Sequence, residues 1–465
     1  HKDREERNTP EIQRSDLAEV VLLLHSLGIR EAVTFDWLDI PDAQAVERAE
    51  RLLTMLGALL DADLTEIGRQ MLRLPMHPRY SRMLIEASKR DCVPDAALCA
   101  ALVSGRDLLT RLGRDDSKSQ NTREIFEDSD DSDFITLMRA FDFAKSNRFS
   151  FGRCRSHGIN AQVARQVDET YKQILHAAHQ QRLYDRETTP SAPSKSNDSL
   201  LQCLMAGFID QLAKRRDTGK PACDLTEQRE GQLVRESVVQ DSAYFVAANL
   251  HQVPSRGPLP LTLLSLATAV KPEWIAEMFP QHLSTTLEHL FDIKNKRVGA
   301  VKLVRYHDLV IEQKAQHSAR DPHKSGRSLA EAQRSGAFEL PLMDHRIKEF
   351  MARVDLLHGT MPELEFIPFD EAAITACLTR AFIGLSLVKE AQATSLLDAF
   401  HRHLEKGQLE WLNELLPTSI PWLDKKKAKV SYANGGAETQ VKLLECWALE
   451  EHPTLCEGRL PILLK

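Results

Sequence analysis

The first third of the chain alternates apolar and polar positions with helical spacing. In "SDLAEVVLLLHSLGI", Leu17, Val20, Val21 and Leu24 fall on one stripe, with Ser15 as an N-cap and Gly28 as the stop. A second such helix runs from about Ala43 to Leu56, and the Asp-rich turn "DADL" then leads to a short helix capped by Thr65. Two prolines bracket Met76 and His77 in "LRLPMHPRYSRMLIEA", so one helical unit ends near Leu74 and another begins near Pro78. Helical spacing continues to about Leu109, gives way to a polar, acidic stretch over 111–133, and returns in "FITLMRAFDFAKSN" and "NAQVARQVDETYKQILHAAHQQRL".

The Pro/Ser-rich run "DRETTPSAPSKSND" marks a linker, set at 185–199. Beyond it the period shortens towards two. "QLVRESVV", "AYFVAANLHQV" and "RVGAVKLVRYHDLVIEQ" are rich in β-branched and aromatic residues, with a helical insert, "KPEWIAEMFP", between the last two. That order predicts a small barrel with one helix. A polar stretch follows over 317–330, then helices up to Leu416 and short mixed segments around "AKVSYANGGAETQVKLL". There is no internal repeat. The expected fold class is mainly α with a smaller β part.

Composition changes this picture only in what it excludes. At 465 residues the chain predicts two to four domains. Hydrophobic content of 42% and charged content of 27% are those of an ordinary globular protein. A net charge of −7 exerts no overall pull on nucleic acid, so any such contact needs a local basic face. Eight cysteines without a C-x-x-C pair read as reduced thiols of a cytoplasmic protein, not as a zinc ribbon or a disulfide framework. The longest apolar runs, such as "VVLLL", are too short to span a membrane. The start, "HKDREERNTPEIQRS", has neither a signal-peptide core nor an initiator methionine, so the chain is expected to begin inside a larger protein.

Catalytic signatures are missing. "DTGKPA" has a Gly-Lys pair without the earlier glycine or the hydroxyl of a phosphate-cradling loop. No G-x-S-x-G elbow or H-E-x-x-H helix occurs. His25 and His77 read as packed or capping side chains. No cofactor or metal site is expected in these residues.

Three blocks nevertheless carry a resemblance. "TPEIQRSDLAEVVLLLHSLGI", "FDWLDIPDAQAVERAERLLTMLGAL" and "LTEIGRQMLRLPMHPRYSRMLIEA" resemble, in that order and spacing, the region after the second motor domain of DEAH-box RNA helicases. Further on, "FSFGRCRSHGINAQVARQVDETYKQIL" resembles that family's ratchet. "LMAGFIDQLAKRRD" resembles the approach to the oligonucleotide-binding barrel of the bacterial HrpB type, and "LEWLNELLPTSI" with "HPTLCEGRLPILL" resembles that type's C-terminal extension.

The resemblance implies a winged helix at 1–75, a helical ratchet at 76–184, an oligonucleotide-binding (OB-like) barrel at 200–316 and an HrpB-type C-terminal domain at 317–465. It also implies that ATP and Mg belong to motor domains preceding this chain, since both are absent from it, and that the HrpB type continues beyond "GRLPILL". The implied function is that of an accessory region gripping and gating single-stranded RNA for a cytoplasmic, monomeric helicase of superfamily 2, with the motor domains as its other partner and no membrane. The other reading is a stand-alone RNA-binding or protein-interaction module without catalysis.

Gripping a strand takes positive charge for phosphates and planar or polar groups for bases. Three clusters offer these. The first is Arg153, Arg155, Asn160, Arg165 and Lys172, with Asp168 on the same helical face as Arg165 and Lys172, so intrahelical ion pairs are the competing reading. The second is Lys214, Arg215 and Arg216, just before the barrel strands. The third is Lys294, Lys296, Arg297, Lys302 and Arg305, on a strand that also reads as a solubilised edge. "DKKKAKV" at 424–430 reads as a solvated turn.

Overall fold

The computed structural model describes residues 11–13, 16–110, 124–185, 197–254, 260–316, 321–340, 345–422, 426–433, 435–447, 449 and 451–465. The chain forms two compact units: His1–Ser284 with Arg305–Ile311, and Thr285–Val304 with Glu312–Lys465.

The first unit opens with α1 (Ala18–Ser26), α2 (Ala43–Met55), a two-stranded wing of β1 (Leu59–Leu60) and β2 (Asp63–Leu64), and α3 (Glu66–Met71). Ser15, the expected cap of α1, lies outside the described residues, and Asp16 Oδ1 accepts from Ala18 N instead. Asp42 caps α2 and Thr65 caps α3. Gly68 lets α3 press onto the wing, because a Cβ there would sit 2.4 Å from the Ala58 carbonyl oxygen.

The helical bundle consists of α4 (Pro78–Lys89), α5 (Val93–Ser104), α6 (Asp133–Ser146), α7 (Phe151–Ser156), α8 (Ala161–Gln180) and α9 (Asn197–Phe208). Helix α5 is apolar almost all round and buried from Ala96 to Leu102, as a central helix must be. The expected 185–199 linker ends inside α9, whose first turn begins at Asn197; residues 186–196 lie outside the described ones.

A closed barrel follows, of β3 (Leu212–Arg215), β4 (Ala222–Leu225), β5 (Glu230–Leu233), β6 (Tyr244–Val253) and β7 (Leu261–Ala269), in the order β3-β4-β5-β7-β6. It closes on a core that includes Leu225, Phe245, Leu264 and Ala267. "QLVRESVV" is strand only to Leu233, since the chain turns at Val234–Ser237. Helix α6 is anchored to the barrel: buried Asp133 accepts from Val238 N and Ala267 N, both at 2.8 Å. After α10 (Pro272–Met278), strands β8 (Leu283–Asp292), β9 (Arg297–Tyr306) and β10 (Leu309–Ala315) pair among themselves as β10-β9-β8. Sequence reading grouped these strands with the barrel, but β5 and β7 pair directly and complete the ring.

The second unit holds α11 (Pro322–Arg334), α12 (His345–Thr360), α13 (Glu371–Ala381), α14 (Val388–Ala393), α15 (Leu397–His401) and α16 (Lys406–Leu415). Strands β11 (Ser419–Pro421), β12 (Lys427–Ala433) and β13 (Gly436–Thr439), then α17 (Leu443–Cys446), β14 (Thr454–Leu455) and β15 (Leu460–Leu464), make a five-stranded sheet ordered β11-β12-β13-β15-β14. Phe350, Phe382, Phe400, Leu412, Val430 and Ile462 share one core. Buried Arg353 donates to the Leu416 and Leu412 carbonyls, satisfying the end of α16.

Candidate nucleic-acid interface

Arginines from two helices converge on the turn between α6 and α7. Asn147 ends α6, and Arg148 and Phe149 follow with φ of 52° and 55°, a left-handed pair that non-glycine residues rarely adopt. Arg153, on α7, donates to Asn147 Oδ1 at 2.6 Å; Arg165, on α8, donates to the Phe149 carbonyl at 3.2 Å. Both guanidiniums stay exposed, as do Arg148 and Arg155. Phe151 opens α7 with 69% of its surface in water, while the His157 ring packs 4.3 Å from that of Phe143 behind the patch. Arg148, Arg153 and Arg165 therefore gather at one turn, and Arg155 and Phe151 are exposed on the adjoining helix α7.

The other members of this cluster are committed elsewhere. Asn160 is the N-cap of α8, accepting from Gln162 N and Val163 N. Lys172 pairs with Asp168 at 2.6 Å, the intrahelical alternative raised by the sequence. Arg148 and Phe151 were missed by sequence reading, although "NRFSFGRCR" interleaves aromatics with arginines in the manner of a strand-binding surface.

The second cluster is dispersed. Arg215 is a correction: it is buried and donates to the carbonyls of Ser242, Lys220 and Val239, because β3 is itself a barrel strand and directs this side chain into the fold. Lys214 donates to the Val310 carbonyl and lies over the Tyr244 ring, and burial lowers its pKa. Arg216 is exposed but held between Asp224 and Glu230, at 2.6 and 2.7 Å, which raise its pKa further. In the third cluster Lys294, Lys296, Arg297 and Lys302 are exposed, Lys294 and Lys296 at a tight turn with Lys296 at a φ of 49°; Arg305 is half-buried. Alternation fails on β9, since both Ala300 and Val301 are buried.

A polar cavity of about 250 Å³ lies between α2, α4 and the approach to the barrel. Its arginines are paired: Arg79 with Asp210 through two bonds, Arg51 with Glu227 at 3.2 Å. It is a joint, not an anion site.

Three family matches divide the chain in the same order. Residues 49–76 match the helicase-associated (HA2) winged-helix domain, 77–137 the HA2 ratchet-like domain, and 378–465 the ATP-dependent helicase C-terminal domain of HrpB. The chain thus carries HA2 winged-helix and HA2 ratchet-like helicase-associated domains and an HrpB-type helicase C-terminal domain. A curated relative, the pre-mRNA-splicing factor ATP-dependent RNA helicase prp22 of Schizosaccharomyces pombe, is 31% identical over 208 residues, 44% of this chain and 17% of its own length. Two crystal structures of HrpB from Escherichia coli overlap 100% and 98% of this chain, at TM-scores of 0.45 and 0.44 and identities of 18% and 19%. The chain spans 51% of each of those proteins and less of the relative. In this HrpB-type region no described helix is long and apolar enough to cross a membrane.

Proposed function

We propose that this HrpB-type accessory region grips single-stranded RNA for an ATP-dependent helicase, and that the turn at 147–149 is its main phosphate contact. The observation that carries the reading is the convergence of Arg153 and Arg165 on that turn, with Arg148, Arg155 and Phe151 exposed beside them. A guanidinium fixed by one hydrogen bond keeps its remaining donors for a phosphate at reduced entropic cost. Phe151 offers a face on which a base can stack. ATP and Mg would be held by motor domains outside these residues, and no step of hydrolysis is assigned to them.

The winged helix supports the second partner. Leu27, Leu38, Ile40 and Leu60 are exposed on it, an apolar surface suited to a protein neighbour such as the motor. The reading is tested in the intact helicase by Arg153→Ala combined with Arg155→Ala. RNA-stimulated ATPase should fall at least about tenfold while ATPase without RNA stays near wild type, since each lost charge-assisted bond is worth roughly 1.5–3 kcal/mol. Equal loss in both assays would contradict it and favour a non-catalytic interaction module.

A further inference from the structure

The lysine run read as a solvated turn enters strand β12, and Trp422 ties its start to α17, which exposed Trp447 follows. Lys427 and Lys429 lie on the outward face of β12, with Ala428 and Val430 turned into the core. Lys426 is exposed just before them. Across the sheet Val430 pairs with Thr439, so the chain leaving β13 runs back along the lysines to exposed Lys442 and α17. One bond fixes the join: Trp422 Nε1 donates to Glu445 Oε2 at 3.1 Å, while Trp422 N donates to the Lys426 carbonyl at 2.8 Å.

Helix α17 therefore stands at the lysine end of the hairpin, and it buries none of its residues. Leu443, Leu444 and Trp447 are 74%, 78% and 81% exposed. Among the described residues none of Lys426, Lys427, Lys429 and Lys442 has an ion-pair partner. Glu445 accepts from Trp422, and Glu438 pairs with Lys465.

We infer that this corner of the second unit is a further single-stranded nucleic-acid contact, with Trp447 as the stacking platform and Lys426, Lys427, Lys429 and Lys442 facing the phosphates. Unpaired cations in a row select a polyanion. An indole beside them selects one with planar bases, over a lipid headgroup or a free phosphate. Leu443 and Leu444 widen the apolar floor on which a base can rest. The contact shares no residue with the arginine patch.

The test uses the whole 465-residue chain and a fluorescein-labelled oligouridylate of about 12 nucleotides, within the span of such sites. At low salt the RNA should quench tryptophan emission. Trp447→Leu keeps an apolar side chain and removes the stacking face, so it should abolish most of the quench and weaken binding about fivefold or more. Lys426→Ala with Lys427→Ala should weaken binding and leave the unliganded emission unchanged. Arg153→Ala with Arg155→Ala should retain the quench even where overall affinity falls. Unquenched emission in the wild type, or unchanged affinity in Trp447→Leu, overturns the inference and gives this face to an acidic protein partner. Loss of the quench in the arginine variant also overturns it, because the RNA would then be held by the first patch alone.

Discussion

His77 spends both ring nitrogens on structure. Nδ1 accepts from Arg79 N at 3.3 Å, capping α4, and Nε2 faces Asp16 at 3.3 Å just before α1. An accepting Nδ1 leaves the proton on Nε2, where it serves the carboxylate. The His77 hydrogen bond holds Asp16 at about 2, below its ordinary 3.8. A depressed carboxyl stabilises the fold above its unfolded value and loses that contribution as pH falls through the folded one. Asp16→Asn should therefore cost little at neutral pH, under about 1 kcal/mol because the Asp16 carboxylate is about half exposed. It should also flatten the stability profile between pH 4 and 2, read by urea melts across that range; an unchanged acid limb would remove the pair from the joint. Reading His77 as a cap was within reach of sequence, because Pro78 after it marks a first helical turn. Asp16 was not, since its partner lies 61 positions away.

Between elements, α4 and α9 meet at a close joint. A Cβ on Gly207 would sit 2.9 Å from the Arg79 carbonyl oxygen and 3.1 Å from Met83 Cβ. Gly207→Ala should destabilise the first unit by about 1–3 kcal/mol despite its better helix propensity, measured as a drop in denaturation midpoint. A stabilised variant would show the helices free to move apart. The same joint carries the half-buried Arg79–Asp210 pair, so the Pro75–Pro78 break leads into a packed corner where Arg79 is structural. Helix ends were legible because caps are local: Asp42, Thr65 and Asn160 each act within three residues. Strand partners were not. Whether β9 completes the barrel or joins β8 and β10 depends on pairing across long separations, and an apolar alternation specifies a face without naming the neighbour.

At the scale of the molecule, a net charge of −7 means that the proposed RNA contact must rest on local patches and respond to salt according to the number of phosphates touched. Each phosphate contact on a single strand contributes about 0.7 to the slope of log K against log salt. Arg153→Ala with Arg155→Ala should lower that slope by about 1.4, read from anisotropy titrations at several salt concentrations. A weakened but parallel line would mean that these arginines order the turn without touching phosphate.

By itself the sequence determined the helical bundle, the place of the β-rich region, the Pro75–Pro78 joint and the helicase resemblance, because periodicity, caps and motif order are written in short windows. Only the tertiary structure decided which cations remain available. Arg215 turns into the barrel, Lys172 and Arg216 find carboxylates, Arg153 and Arg165 meet at one turn, and Trp422 ties the start of the lysine strand to α17. Charge is a property of a residue, but its availability depends on which groups the fold brings within about 4 Å of it.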